Sequence, residues 1–283
     1  MKHFEVWIDD QTLGGCARVG CLLKAASRSG DSVGFEYDPG WLNGSEPVAP
    51  FALDHELYLG AGLQYAKAGA NALSAAFQDC SPDRWGQRLM DRREAIEARE
   101  EGRKPRNLRA WDYLLGVHDE CRMGALRLVD SESVRYLDDR ALSAPPVTEL
   151  RQLEAVAAHV ERDDADLGEE TVRWIKQLVA PGASLGGARP KASFRDPSGQ
   201  LWLAKFPSFD DRFDVGLWEF LAHQLAREAG IDMPEARLMR LSDRGHTFAV
   251  RRFDRIANSR RAFCSAKTLL ALSKSEWVTP REG

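Results

Sequence analysis

No run in the sequence reaches the ~18 apolar residues a membrane span needs, and the opening MKHFEVWIDD has no apolar signal core. The expectation is a soluble, cytoplasmic protein with no membrane partner. Cysteine is sparse, five in 283 residues, at positions 16, 21, 80, 121 and 264. Cys16 and Cys21 have no second pair and no histidines at ligand spacing, which argues against zinc and for a reduced compartment. There is no G-x-x-x-x-G-K-[ST], so a Walker nucleotide site is excluded. Positive charge is not in excess either. The formal charge is −4 and the pI about 5.9, so direct DNA binding by the whole chain is disfavoured. Internal repeats and low-complexity segments are missing. After Asp254 there is no aspartate at all, and the remaining carboxylates are Glu276 and Glu282.

What is present is enough apolar residue, 43%, to bury a core in one to two domains. Residues 4–8 and 33–37 read as strands, with 12–32 an elongated hairpin connection and Asp38-Pro39-Gly40 a turn. From about 54 to 100 the chain reads helical. Ser81-Pro82 is a start signal, and Trp85, Leu89 and Ile96 lie on one side of the helix that follows. Residues 111–129 read as a short helix, a turn and a strand. Residues 143–146 (SAPP) form a linker, Thr148 can cap a helix to about 161, and a second helix runs over 169–180 until Pro181-Gly182. The main boundary is placed there.

Beyond it the pattern changes. Lys191–Asp196 and Leu201–Phe206 read as a hairpin around Pro197-Ser198-Gly199. DVGLWEFLAHQLAREAG follows as an amphipathic helix with Trp218, Leu221, Ala222, Leu225, Ala226 and Ala229 in its apolar stripe and Gly230 at its end. Two more strands, Glu235–Leu241 and Thr247–Phe253, complete the order glycine loop, hairpin, helix, hairpin. That is the layout of a kinase N-lobe.

The two-residue strand period sets Lys205 on the face of Leu201 and Leu203. An ammonium among leucines loses hydration and needs an anionic partner. Glu219 lies at the edge of the helix stripe, within reach of the sheet. A strand lysine held by a helix glutamate is how kinase folds aim a cation at nucleotide phosphates. The loop Ser184-Leu185-Gly186-Gly187-Ala188 can bring backbone N–H groups to the same phosphates. Plainer readings stand beside each of these: a glycine pair as a simple turn, a lysine that snorkels to water, a glutamate that is merely solvated. The basic run from 251 to 267 (Arg251, Arg252, Arg255, Arg260, Arg261 and Lys267 against Asp254) reads either as a phosphate-facing patch or as a solvated surface.

Several stretches together resemble the HipA family of bacterial toxin kinases. SLGGARPK is similar to its glycine loop, WLAKFP to its ATP-lysine strand, and LWEFLAHQLAREAGIDMPEARL to its glutamate helix. FAVRRFDR is similar to its hinge strand and SAKTLLAL to the segment beyond the hinge. FEYDPGWL, SPDRWGQRLMDRRE and DYLLGVHDECRMGALRL resemble its N-terminal subdomain. The resemblance implies an α+β fold: an N-terminal, partner-facing subdomain over 1–146, a helical connector over 147–181, and a kinase-like N-lobe, hinge and start of a truncated C-lobe over 182–283.

It also implies a serine/threonine protein kinase, the toxin of a type II toxin–antitoxin pair. ATP is the implied cofactor, with Mg2+ expected for the family. The implied partners are a HipB-like DNA-binding antitoxin, operator DNA through that antitoxin, and a translation factor or aminoacyl-tRNA synthetase as substrate. Lys205 would contact ATP phosphates, Glu219 would hold Lys205, and Arg251, Arg252 and Phe253 would form the hinge. Ser184 falls where the family carries an autophosphorylated serine; about two negative charges there would repel nucleotide phosphate.

The family's base aspartate, magnesium asparagine and metal aspartate follow the hinge, and no aspartate follows Asp254 to serve as the base or to bind the metal. No catalytic or metal-binding residue is therefore assigned, and this chain as written is expected not to catalyse. It reads as a HipA-type kinase cut short or as a non-catalytic antitoxin-binding or regulatory module; a small-molecule kinase relative shares the N-lobe pattern. An exposed apolar patch is expected where a C-lobe would pack, with Trp277 and residues 268–272 as candidates.

Overall fold

The structure is a computed structural model that describes residues 2–27, 30–69, 72–133, 135–137, 144–162, 175, 187–256 and 259–271. Apart from Ile175, the helix expected over 169–180 lies outside these residues, as do the boundary at Pro181-Gly182 and the stretch holding Trp277. The elements run β1 (Lys2–Asp10), β2 (Gly15–Ser27), β3 (Gly30–Tyr37), α1 (Pro39–Leu42), β4 (Gln64–Tyr65), α2 (Ala75–Asp79), α3 (Arg84–Glu100), α4 (Ala110–Leu115), β5 (Leu126–Asp130) and β6 (Arg135–Tyr136). They continue with α5 (Leu150–Arg162), β7 (Lys191–Arg195), β8 (Leu201–Lys205), α6 (Val215–Glu228), β9 (Ala236–Ser242), β10 (Gly245–Arg251), β11 (Arg255–Ile256), β12 (Ser259–Arg260) and α7 (Ala266–Leu269).

The first sheet has the order β4-β3-β2-β1-β5-β6 and the second β7-β8-β10-β9. In β1, Phe4, Val6 and Ile8 alternate onto the buried face, as a half-buried strand requires. The expected hairpin connection over 12–32 is mostly a strand of its own: β2 pairs with both β1 and β3. Its inward residues, Ala17, Val19 and Leu22, are small or spaced across a register shift at Val6/Trp7. The glycines and cysteines between them hid the alternation. The reading of 54–100 as helical holds only from Ala75 onward, with a break at 80–83. Residues 54–57 are instead a turn tied by Asp54, whose carboxylate accepts from Glu56 N (2.7 Å), Leu57 N (3.1 Å) and Ala76 N (2.7 Å). Thr148 caps nothing; a short 3-10 turn headed by Pro146 leads into α5.

A second core joins α3, α5 and the four-stranded sheet. Trp85 and Leu89 meet Leu153 and Val160 and, from the strands, Phe194 and Trp202. So α3, far upstream in sequence, is part of the floor under β7 and β8. The apolar stripe predicted for α6 faces the other way. Trp218 is 58% exposed and Leu225 56%, while Gly216 and His223 are the buried residues. A three-four spacing reveals a stripe but not what it faces. Exposed apolar side chains thus line α6, which was not among the candidates named; of those that were, Leu269 and Leu270 on and beside α7 are exposed, whereas Thr268 is buried. Among the described residues, no helix is long and apolar enough to cross a membrane.

The C-terminal half of α3 is fixed by Glu94, buried at 3% exposure. Its carboxylate accepts from Arg106 N (2.9 Å), Arg106 Nη2 (2.8 Å) and Arg103 Nη1. Hydrogen bonds from Arg106 and Arg103, outweighing burial, bring its pKa down to about 2. A carboxyl depressed on folding stabilises above its unfolded pKa, and that contribution disappears as pH falls through the folded value. Glu94→Gln should therefore cost about 1.5–3 kcal/mol at neutral pH. In urea titrations the gap between variant and parent should close as pH drops from 4.5 toward about 2.

Candidate functional site

The helix α6 stands on the sheet by polar anchors and one glycine. Asp214 caps its first turn, accepting from Leu217 N (3.1 Å), and also takes His246 N (3.1 Å) and His246 Nδ1 (2.5 Å) from β10. Burial raises the Asp214 pKa, but His246 and these N–H groups outweigh it and the net shift is downward. Two turns further along, His223 Nε2 meets the Pro234 carbonyl at 2.7 Å. At Gly216 a Cβ would sit 2.0 Å from the His246 carbonyl oxygen, so only glycine lets the helix this close. The close seat delivers the Glu219 carboxylate to the end of β8, where it accepts from Lys205 Nζ. The pairing read from sequence is present, with the two side chains 30% and 23% exposed respectively.

One strand away stands a second ammonium. Lys191 begins β7 and pairs in register with Lys205. Its Nζ donates to Asp83 Oδ2 (2.6 Å) and to the Gly187 carbonyl (3.2 Å). Burial depresses the Lys191 pKa, and the neighbouring Lys205 and Arg189 charges add to that against the opposing pull of Asp83. Arg189 is held by a two-pronged contact to Asp211 (2.7 and 2.8 Å), which fixes the exit of the glycine loop. Gly187 has a positive φ of 71° and open space where a side chain would be, and Ala188 is exposed. Ser184, Leu185 and Gly186 lie outside the described residues. Two cations on adjacent strands beside the exposed Gly187 and Ala188 fit a chain of phosphates. No group of His, Cys, Asp or Glu among the described residues could hold a metal ion, so no step is assigned to one.

The segment Arg251–Phe253 is less open than a nucleotide-edge strand would be. Arg251 N donates to Glu235 O (2.8 Å) and Arg252 N to Leu201 O (2.9 Å). The Arg252 guanidinium turns inward, doubly bonded to Asp254 (2.6 Å each) and donating to Cys121 O (3.2 Å). Phe253 remains outside, against Phe263. The basic run is therefore neither a phosphate patch nor wholly a solvated surface. Arg255 reaches Asp254 Oδ2 (2.7 Å) and the carbonyls of Glu120 and Arg122 (2.8 and 2.7 Å), and Arg260 reaches the Asp119 carbonyl (2.6 Å). Burial pushes the Arg255 pKa down to about 9 despite Asp254.

Residues 183–279 match the family of the HipA-like C-terminal domain. Among solved structures the chain is similar to HipA of the Shewanella oneidensis MR-1 toxin–antitoxin system, determined with HipB and its operator DNA. The TM-score is 0.54 at 16% identity, covering 98% of this chain and 59% of that one. The match extends the HipA-like α+β fold to the N-terminal sheet, and the chain spans 59% of the length of the solved HipA. No curated protein matches.

Sequence reading missed Lys191 and Asp83 as site residues. A signal for the lysine existed: counting outward from the Pro197-Ser198-Gly199 turn brings Lys191 opposite Lys205. Asp83 had none, because it comes from a helix 108 residues upstream.

Proposed function

We propose that this chain is the nucleotide-cradling part of a HipA-like toxin kinase of a toxin–antitoxin system. ATP is the ligand, and the target in the intact protein is a translation-related protein. The observation that carries the reading is the Lys205–Glu219 pair standing in register beside Lys191. Lys205 and Lys191 would take the phosphates, Glu219 would orient Lys205, and Gly187 and Ala188 would leave room for the phosphate chain. Ser184 is the candidate for inhibitory phosphorylation. The division into a partner-facing part over 1–146, a connector and the nucleotide part over 182–283 belongs to the same reading. So does a HipB-like, DNA-binding antitoxin, since the similar solved HipA is held in such a complex.

A second reading, a binding module without catalysis of its own, is favoured by Asp254. Its side chain is 0% exposed between Arg252 and Arg255, so it cannot take a proton from a substrate hydroxyl. One experiment separates the readings. The 283-residue chain should bind ATP, measured by displacement of a fluorescent analogue, and Lys205→Ala should weaken binding at least about tenfold. Labelled phosphate should pass neither to the chain nor to a translation factor. Binding untouched by Lys205→Ala would defeat the cleft reading, and Lys205-dependent transfer would defeat the non-catalytic one.

A further inference from the structure

We infer that Asp83 is a positioning residue of the cleft: from the start of α3 it braces Lys191 and, through Lys191, the Gly187 carbonyl of the glycine loop. The inference rests on the nucleotide reading above.

Asp83 divides its two oxygens between two tasks. Oδ1 caps α3 by accepting from Gly86 N at 2.9 Å, while Oδ2 accepts from Lys191 Nζ at 2.6 Å. Two residues on, Trp85 Nε1 donates to the Lys191 carbonyl at 2.9 Å. The first turn of α3 thus grips Lys191 at its main chain and at its ammonium. Lys191 is only 3% exposed and Asp83 9% by side chain. A lysine so enclosed needs a resident counter-charge when no ligand is there, and Asp83 supplies it. An ammonium has three N–H donors. Among the described residues Asp83 and Gly187 take two of them, which sets the direction of the third. Glu219 performs the same service for Lys205, so each cation has a carboxylate from a different helix. The α3 brace belongs to the part of the chain that precedes the kinase-like sheet, and a shift of that helix would re-aim Lys191.

Asparagine caps a helix about as well as aspartate but gives an ammonium no negative partner. Asp83→Asn should therefore lower ATP affinity about fivefold to tenfold, measured well below the melting transition by displacement of a fluorescent analogue. A double-mutant cycle separates aiming from mere structural support. Lys191→Gln should weaken binding by a similar factor, and Asp83→Asn/Lys191→Gln should bind no worse than Lys191→Gln alone, because Asp83 acts only through Lys191. That comparison holds even if the lone Asp83→Asn chain, with its unpaired buried lysine, fails to fold. Asp83→Asn binding as tightly as the parent, or a double variant well below Lys191→Gln, overturns the inference. If Lys205→Ala still loses binding in that case, the cleft reading survives on its own. A parent chain that binds no ATP removes both.

Discussion

Replacing Asp254 by alanine should cost about 3–5 kcal/mol of folding stability, the range for breaking a buried ion pair from one side. The carboxylate takes both prongs of Arg252 (2.6 Å each), Arg255 Nη1 (2.7 Å) and the Gly124 N–H (2.8 Å). Its removal strands two guanidinium groups, 0% and 9% exposed, with their carbonyl partners alone to balance them. Asp254→Asn, which keeps an acceptor for Gly124 but no charge, should cost nearly as much; charge is what the arginines lack. Burial raises the Asp254 pKa, but Arg252, Arg255 and the Gly124 N–H more than reverse that, and the net shift is downward. The contribution is therefore complete above the ordinary aspartate range and fades as pH falls below it. Urea titrations of parent and variants at neutral and acid pH measure both effects, and a neutral-pH loss under about 1 kcal/mol would contradict the account.

Trp85→Ala should be of comparable size, about 3–5 kcal/mol. The indole is 1% exposed and belongs to the core that joins α3, α5 and the second sheet. Its loss leaves a cavity between layers that are distant in sequence, so little nearby chain can collapse into it. Trp85→Phe keeps much of the volume and gives up the bond to the Lys191 carbonyl (2.9 Å); about 1–2 kcal/mol is expected. A phenylalanine variant as unstable as the alanine one would mean that the hydrogen bond, not the packing, holds the layers together. Chemical denaturation with the slope checked for two-state behaviour decides this.

Much of the second sheet was legible because its cues are local. The turn at Pro197-Ser198-Gly199 and the strand period put Lys205 where it stands, and the helix spacing brought Glu219 to it. What escaped is what depends on partners remote in sequence. Whether the α6 stripe meets a sheet or solvent is decided by Gly216 and His223, residues that carry no apolar signal. Arg252 and Asp254 are ordinary surface types in a basic run; their burial is set by the 121–124 segment, some 130 residues earlier. The strand β2 was obscured by its glycines and cysteines, although Ala17, Val19 and Leu22 do face inward.

The seat of α6 on β10 gives an absent atom a role in the electrostatics. With a hydrogen for a side chain, Gly216 sets how near the helix axis lies to the strand. Glu219 is less than one turn further along the same rigid rod. A single methyl at 216 would lift that end of the rod by the depth of a carbon atom and carry the carboxylate away from Lys205. The spacing between these opposite charges is therefore governed by steric bulk on a neutral neighbour, and so is the field an incoming anion would meet.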